Sequence, residues 1–193
     1  NGKCKEEQVL IDVTNSYRLK GKLQVGLANP SIQGINDVTE KSRAWEVTAV
    51  KKLFSLLSSF NNMQMDYCIF DTSPGVQLSS VNALASSDLC LIVMNCDLVD
   101  LEGTKNMLKD IYDCLPLKRV DIILNKVSPN PIYGNKENYE SSTMEKVLTH
   151  RIICKIPCYC DVLQAQRRAI LSIEKPDHPF TRKLEEIANG INS

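Results

Sequence analysis

The sequence predicts an α/β fold: a doubly wound, mostly parallel sheet with helices on both faces, in a single domain covering residues 1–193. Three features lead there. Short apolar runs alternate with longer amphipathic ones, with no internal repeat. Several of the short runs are apolar throughout, as strands covered on both faces must be. The length of 193 residues, with 43% hydrophobic and 24% charged, suits one substantial core.

The expected strands, in chain order, are Leu23–Asn29, Asp66–Asp71, Leu89–Asn95, Arg119–Asn125 and Arg151–Ile156. Between them lie helical patterns. Trp45–Phe60 sets Val47, Val50, Phe54 and Leu57 on one stripe, and Leu101–Leu115 does the same with Leu101, Leu108, Ile111, Tyr112 and Leu115. Asp97 or Asp100 supplies a cap for the second of these, and Pro116 follows its end. After the last strand, Ile156-Pro157 leads into a helix expected to be capped by Asp161. A final amphipathic helix, Phe180–Ile191, carries Phe180, Leu184, Ile187, Ala188 and Ile191 on one face. Ligands of such folds sit at the carboxyl ends of the strands, so function is to be sought there.

Charge narrows the class. Lysine plus arginine equals aspartate plus glutamate at 23 each, which leaves no bulk field to hold nucleic acid or an anionic membrane. Lys51-Lys52 and Arg167-Arg168 are isolated pairs rather than a phosphate-binding stripe. From Glu174 onward the basic residues Lys175, Arg182 and Lys183 face the acidic Glu174, Asp177, Glu185 and Glu186, so anionic lipid is not attracted. The last helix is therefore expected to pack on its own sheet. With no signal-like segment and no apolar run of bilayer length, the sequence predicts a cytoplasmic chain, at most peripheral to a membrane. The eight cysteines sit mostly in apolar runs such as Asp88–Val93, which favours reduced thiols. Cys154, Cys158 and Cys160 gather near one strand end, and Cys158-Tyr159-Cys160 has a metal-binding spacing, but structural thiols are the better expectation.

Three strand ends carry chemistry. In Tyr67-Cys68-Ile69-Phe70-Asp71-Thr72-Ser73-Pro74-Gly75 an apolar run delivers Asp71 to its carboxyl end, where a carboxylate can hold Mg2+ through water. Gly75 lets a backbone N–H approach a terminal phosphate. By composition alone the run also reads as an ordinary Asp/Ser/Pro/Gly turn. Val120–Lys126 ends in Asn125, whose amide both donates and accepts and so suits the edge of a base, or else simply terminates the strand. Ile152–Asp161 ends at Pro157 and enters a loop placed to flank that base.

In this order and spacing the three ends resemble the MinD/ParA/Mrp class of deviant P-loop ATPases, with MinD-like members nearest, over essentially the whole chain. The Asp71–Gly75 run resembles the Walker B and switch II segment of the class. The run at 123–126 is similar to its adenine-contacting strand end, Pro157 and the Asp161 helix to its second base-flanking loop, and Ile170–Phe180 to its final loop and helix. The resemblance implies ATP and Mg2+ as cofactors and a homodimer formed through the nucleotide face. It also implies a regulatory or cargo protein as partner, in a switch of the partition, positioning or division-site type. Asp71 is then the water-mediated magnesium ligand, Gly75 the γ-phosphate sensor and Asn125 the adenine reader, with Lys126, Pro157 and Asp161 on the base side. Guanine-specific NTPases place an aspartate where Ser128 stands, which favours adenine.

One departure is serious. No Gly-x-x-x-x-Gly-Lys-Ser/Thr loop, nor the lysine-rich variant of the class, occurs in the sequence, and Lys20-Gly21-Lys22 is too short to cradle phosphates. In the class that loop and the first strand come earlier, so the sequence reads as roughly the carboxy-terminal two-thirds of such a domain, opening at Asn1 rather than methionine. By itself it is expected to hydrolyse ATP poorly. Two other functions stay open: a metal-cofactor maturation ATPase using Cys158 and Cys160, and a non-catalytic interaction module.

Overall fold

The computed structural model describes residues 9–27, 43–73, 78–114, 119–128, 141–165 and 170–192. It divides into two compact units, Asn1–Asp71 and Thr72–Ser193.

The first unit holds a hairpin and a long helix. β1 (Leu10–Asp12) pairs antiparallel with β2 (Gln24–Gly26), Ile11 opposite Val25. Local polar groups close the connection: Thr14 N–H donates to Asp12 Oδ1 at 2.9 Å, and Leu23 N–H donates to Thr14 Oγ1 at 2.8 Å. The Thr14 hydroxyl and amide hold the Asp12 carboxyl below the usual carboxylate range. The expected strand at Leu23–Asn29 is thus shorter and antiparallel, because a neighbouring run reached by so short a loop cannot pair in parallel. Asn29 itself lies outside the described residues.

α1 spans Arg43–Asn62. Its half-buried stripe is Val50, Leu53, Leu57 and Phe60, whereas Val47 and Phe54, expected on that stripe, are exposed. The apolar side has rotated toward the Leu53 and Phe60 edge. The helix stops in a Schellman arrangement: Met65 N–H donates to Phe60 O at 3.3 Å and Gln64 N–H to Asn61 O at 3.2 Å, with Gln64 at φ 54°. Beyond it the expected strand Asp66–Asp71 does not form. A strand exists through its neighbour's hydrogen bonds, and no described strand pairs with this run; Ile69 is 87% exposed.

The second unit is built on three parallel strands in the order β3 (Cys90–Asn95), β4 (Val120–Val127) and β5 (Arg151–Pro157). α2 (Leu78–Ser86) precedes β3, α3 (Leu98–Cys114) lies between β3 and β4, and α4 (Ser141–Leu148) between β4 and β5. α5 (Cys160–Gln164), α6 (Leu171–Glu174) and α7 (Pro179–Ile191) follow. Three of the predicted strands are therefore present within one or two residues of the expected bounds.

Alternation along β4 sorts the core into two layers. Ile122 and Leu124, wholly inaccessible, pack with Ile92, Met94, Leu108, Met144 and Leu148, so α3 and α4 cover one face. Ile123 turns the other way, to Cys154, Ile156 and Ile187, where Phe180, Leu184 and Ile191 of α7 close the second face. Each such aliphatic side chain contributes about 1.5–3 kcal/mol when fully buried. Doubly covered, β4 is apolar through its middle, Ile122–Leu124. α7 packs on the sheet as its charge pattern predicts, although Ala188 is exposed. On α3, Leu101, Thr104 and Leu108 face inward, while Leu115 and Pro116 lie outside the described residues and the side chains of Ile111 and Tyr112 are not described. No helix among the described residues is long and apolar enough to cross a membrane.

The start of β4 carries one charge into this interior. Asp121, 3% exposed, pairs with Arg119 at 2.7 Å and Arg151 at 3.3 Å. Both arginines also donate to Gly190 O, at 2.8 and 3.2 Å, near the α7 carboxyl terminus, where cations are favoured. The cysteine side chains at 68, 90, 96, 154, 158 and 160 are free.

Candidate functional site at the carboxyl ends of the parallel strands

At the end of β3, Asn95 lies in register with Asn125 of β4. Two aspartate side chains fix the turn into α3. Asp97 Oδ1 accepts Asp100 N–H at 2.8 Å, and Asp100 Oδ2 accepts Asn95 N–H at 3.1 Å. Both aspartates named as alternatives thus take part. Leu98 and Val99, in the first turn of α3, are 71% and 82% exposed.

The end of β4 is irregular. Between Leu124 and Val127 the pairing with β5 slips, since Leu124 faces Lys155 and Val127 faces Pro157. β4 holds one more residue there than β5, which is a bulge. Lys126 absorbs it with φ 52°, the left-handed region that non-glycine residues rarely adopt. Its N–H donates to Asn125 Oδ1 at 3.0 Å. That bond holds Asn125's amide group at the strand end and leaves its NH2 pointing as a donor, with a second lone pair on the oxygen. Lys126 itself is exposed.

At the end of β5, Pro157 pairs with Val127, and Cys158 N–H donates to Val127 O at 3.0 Å. Asn125, Lys126, Pro157 and Cys158 are thereby brought together. Cys158 and Cys160 are exposed, but Cys154 does not join them: it is buried mid-strand, its thiol directed at Lys183 O and Glu186. β5 ends at Pro157, so Cys154 lies within the strand against α7 while Cys158 and Cys160 stand beyond its end. Among the described residues no group of three or more His, Cys, Asp or Glu side chains is gathered to hold a metal ion.

Asp161 does not cap α5. The N-cap is Tyr159, which makes no side-chain cap bond, and Asp161 lies inside the first turn. Its Oδ1 accepts Val162 N–H at 3.0 Å and its Oδ2 meets His178 Nε2 at 2.8 Å. Desolvation opposes ionisation, but the His178 hydrogen bond, with backbone amides, holds the carboxyl below its usual range. His178, Asn95 and Asp100 were not singled out as site residues from the sequence. His178 directly before Pro179, at a helix start, is the signal that marks it as a cap. Asp71, exposed, ends the first unit, and Gly75 lies outside the described residues.

The family model described as an AAA domain matches residues 27–122. No curated protein matches the chain. Among solved structures, a ParA family ATPase from Chlorobium tepidum is similar, with TM-score 0.65 and 21% identity over 86% of this chain and 62% of that one. The MinD cell division protein of Aquifex aeolicus gives TM-score 0.60 and 15% identity, over 74% and 60%. The cell division ATPase MinD of Pyrococcus furiosus gives 0.57 and 19%, over 74% and 58%. The chain thus spans about three fifths of the length of these relatives. Parallel order, two-sided covering and these likenesses agree: the chain has the fold of the MinD/ParA class of P-loop ATPases.

Proposed function

We propose that residues 1–193, acting as a single domain, supply the switch and base-reading side of a MinD/ParA-type ATPase. Two ATP-bound copies pair through the nucleotide face, and hydrolysis separates them to release a regulatory or cargo protein. The observation that carries this reading is Asn125. It stands on a bulged strand end, at the carboxyl edge of a parallel sheet, with its amide held by the Lys126 N–H. Strain of this kind clusters at ligand sites.

The donor set suits adenine. The Asn125 NH2 matches a ring-nitrogen acceptor and its oxygen accepts from the exocyclic amine, the pairing that asparagine makes with adenine. Lys126 lends positive charge beside it, and Pro157 and Asp161 border the same edge. Asp71, an exposed carboxylate at the end of an apolar run, suits an ion that keeps its water shell. When bound, Mg2+ neutralises charge on the phosphate oxygens. Gly75 is assigned to the γ-phosphate on its sequence position. Leu98 and Val99, apolar and exposed beside the strand ends, favour a second copy docking on this face.

The test uses the full-length protein. With ATP and Mg2+, light scattering should report a dimer that ADP does not support, and Asp71→Ala should lower Mg2+-dependent turnover about 100-fold while the fold is kept. Intact Mg2+-dependent hydrolysis in Asp71→Ala would refute the role given to that residue. A wild type that neither binds ATP nor dimerises with it would refute the function.

A further inference from the structure

We propose that His178 is a positioning residue for the base-side segment Cys158–Asp161, which it straps to the start of α7. The role rests on the adenine-nucleotide reading above. His178 makes two bonds with opposite demands. Its Nδ1 accepts Phe180 N–H at 3.0 Å, and its Nε2 meets Asp161 Oδ2 at 2.8 Å. Only the tautomer with its proton on Nε2 satisfies both, so the ring is a cap on one side and a donor on the other.

Packing holds the ring in that plane. The His178 side chain is 14% exposed and meets Tyr159 edge-on at 5.4 Å, while Tyr159 meets Phe180 edge-on at 6.2 Å. Asp161 has both oxygens engaged, the second by Val162 N–H at 3.0 Å. The other end of the segment is fastened as well, since Cys158 N–H donates to Val127 O next to the bulge that carries Asn125 and Lys126. The segment is therefore tied at one end to the base-reading strand and at the other to α7.

α5 cannot supply this placement itself. Five residues make too short a helix to be stable alone, and its Tyr159 cap contributes no side-chain bond. The position of Asp161 beside the base edge is thus set from outside, by a histidine 17 residues away.

Substitution by asparagine separates the strap from the cap. Asparagine is among the best N-cap residues, so His178→Asn keeps the Phe180 bond, but its shorter side chain does not reach Asp161. In the full-length protein His178→Asn should melt within about 2 °C of wild type. Its KM for ATP should rise about fivefold with kcat little changed, as loss of one charge-assisted hydrogen bond predicts. Asp161→Ala should match it, and the double variant should be no worse than Asp161→Ala alone. Without nucleotide, amide exchange at Cys158–Val162 should quicken in His178→Asn.

An unchanged KM, additive effects in the double variant, or a KM that rises only in step with lost thermal stability would each overturn the positioning role. If wild type binds ATP and His178→Asn is indistinguishable from it, the strap fails and the ATPase reading stands. If wild type binds no ATP, both fail.

Discussion

Lys126 holds a backbone conformation that costs a non-glycine residue about 1–2 kcal/mol, and the gain is the aim of the side chain before it. Asn125→Ala should weaken ATP binding about tenfold and narrow the difference between ATP and GTP, read by calorimetric titration of both nucleotides. Equal loss for the two would show that Asn125 serves the strand rather than the base. The cysteines separate by environment in the same way. Burial, then the Glu186 charge, pushes the Cys154 thiol up, with Lys183 opposing. Because the thiolate is the reacting form, a raised pKa means less of it at any pH below that value. Iodoacetamide at about pH 7.5 should label exposed Cys158 and Cys160 in the native protein and Cys154 only after unfolding, as peptide mass mapping would show. Early labelling of Cys154 would contradict its packing against α7.

Among elements, those with a strong local period were legible. β3, β4 and β5 stand where apolar runs predicted them, and α3 starts beside a residue of capping type, Asp97. The first unit was read less well. Whether 24–26 pairs in parallel, and whether 66–71 pairs at all, depends on which neighbour lies alongside, and side-chain periodicity carries no record of that. The end of α1 supplies an element-scale test. Gln64 occupies the left-handed position of a Schellman motif that glycine fills without strain. Gln64→Gly should stabilise the protein by about 1 kcal/mol in denaturant unfolding at unchanged slope. A destabilised variant would mean the glutamine side chain makes a compensating contact.

Across the second unit, Asp121 pairs with Arg119, just before β4, and Arg151, which opens β5, and both arginines bond the end of α7. Removing it leaves two arginines without their shared carboxylate. Asp121→Ala should therefore cost about 1–3 kcal/mol, below the figure for a fully buried pair, because Arg119 and Arg151 are 33% and 51% exposed at the side chain. A melting temperature equal to wild type would show that the arginine bonds to Gly190 O and Ile191 O suffice.

Local chemistry determined much of this protein. Apolar runs marked the strands covered on both faces, acidic and small residues marked the turns, and Asn125 was recognisable as a strand-end group because it closes an apolar run. Tertiary structure decided the rest: the bulge that turns Asn125, the separation of Cys154 from Cys158 and Cys160, and the bond that ties Asp161 to His178. Each of these depends on how distant segments meet, through pairing register, the packing of α7 on the sheet and a hydrogen bond spanning 17 residues. Such meetings follow from the packing of the whole chain and leave no period or motif in any one stretch of it.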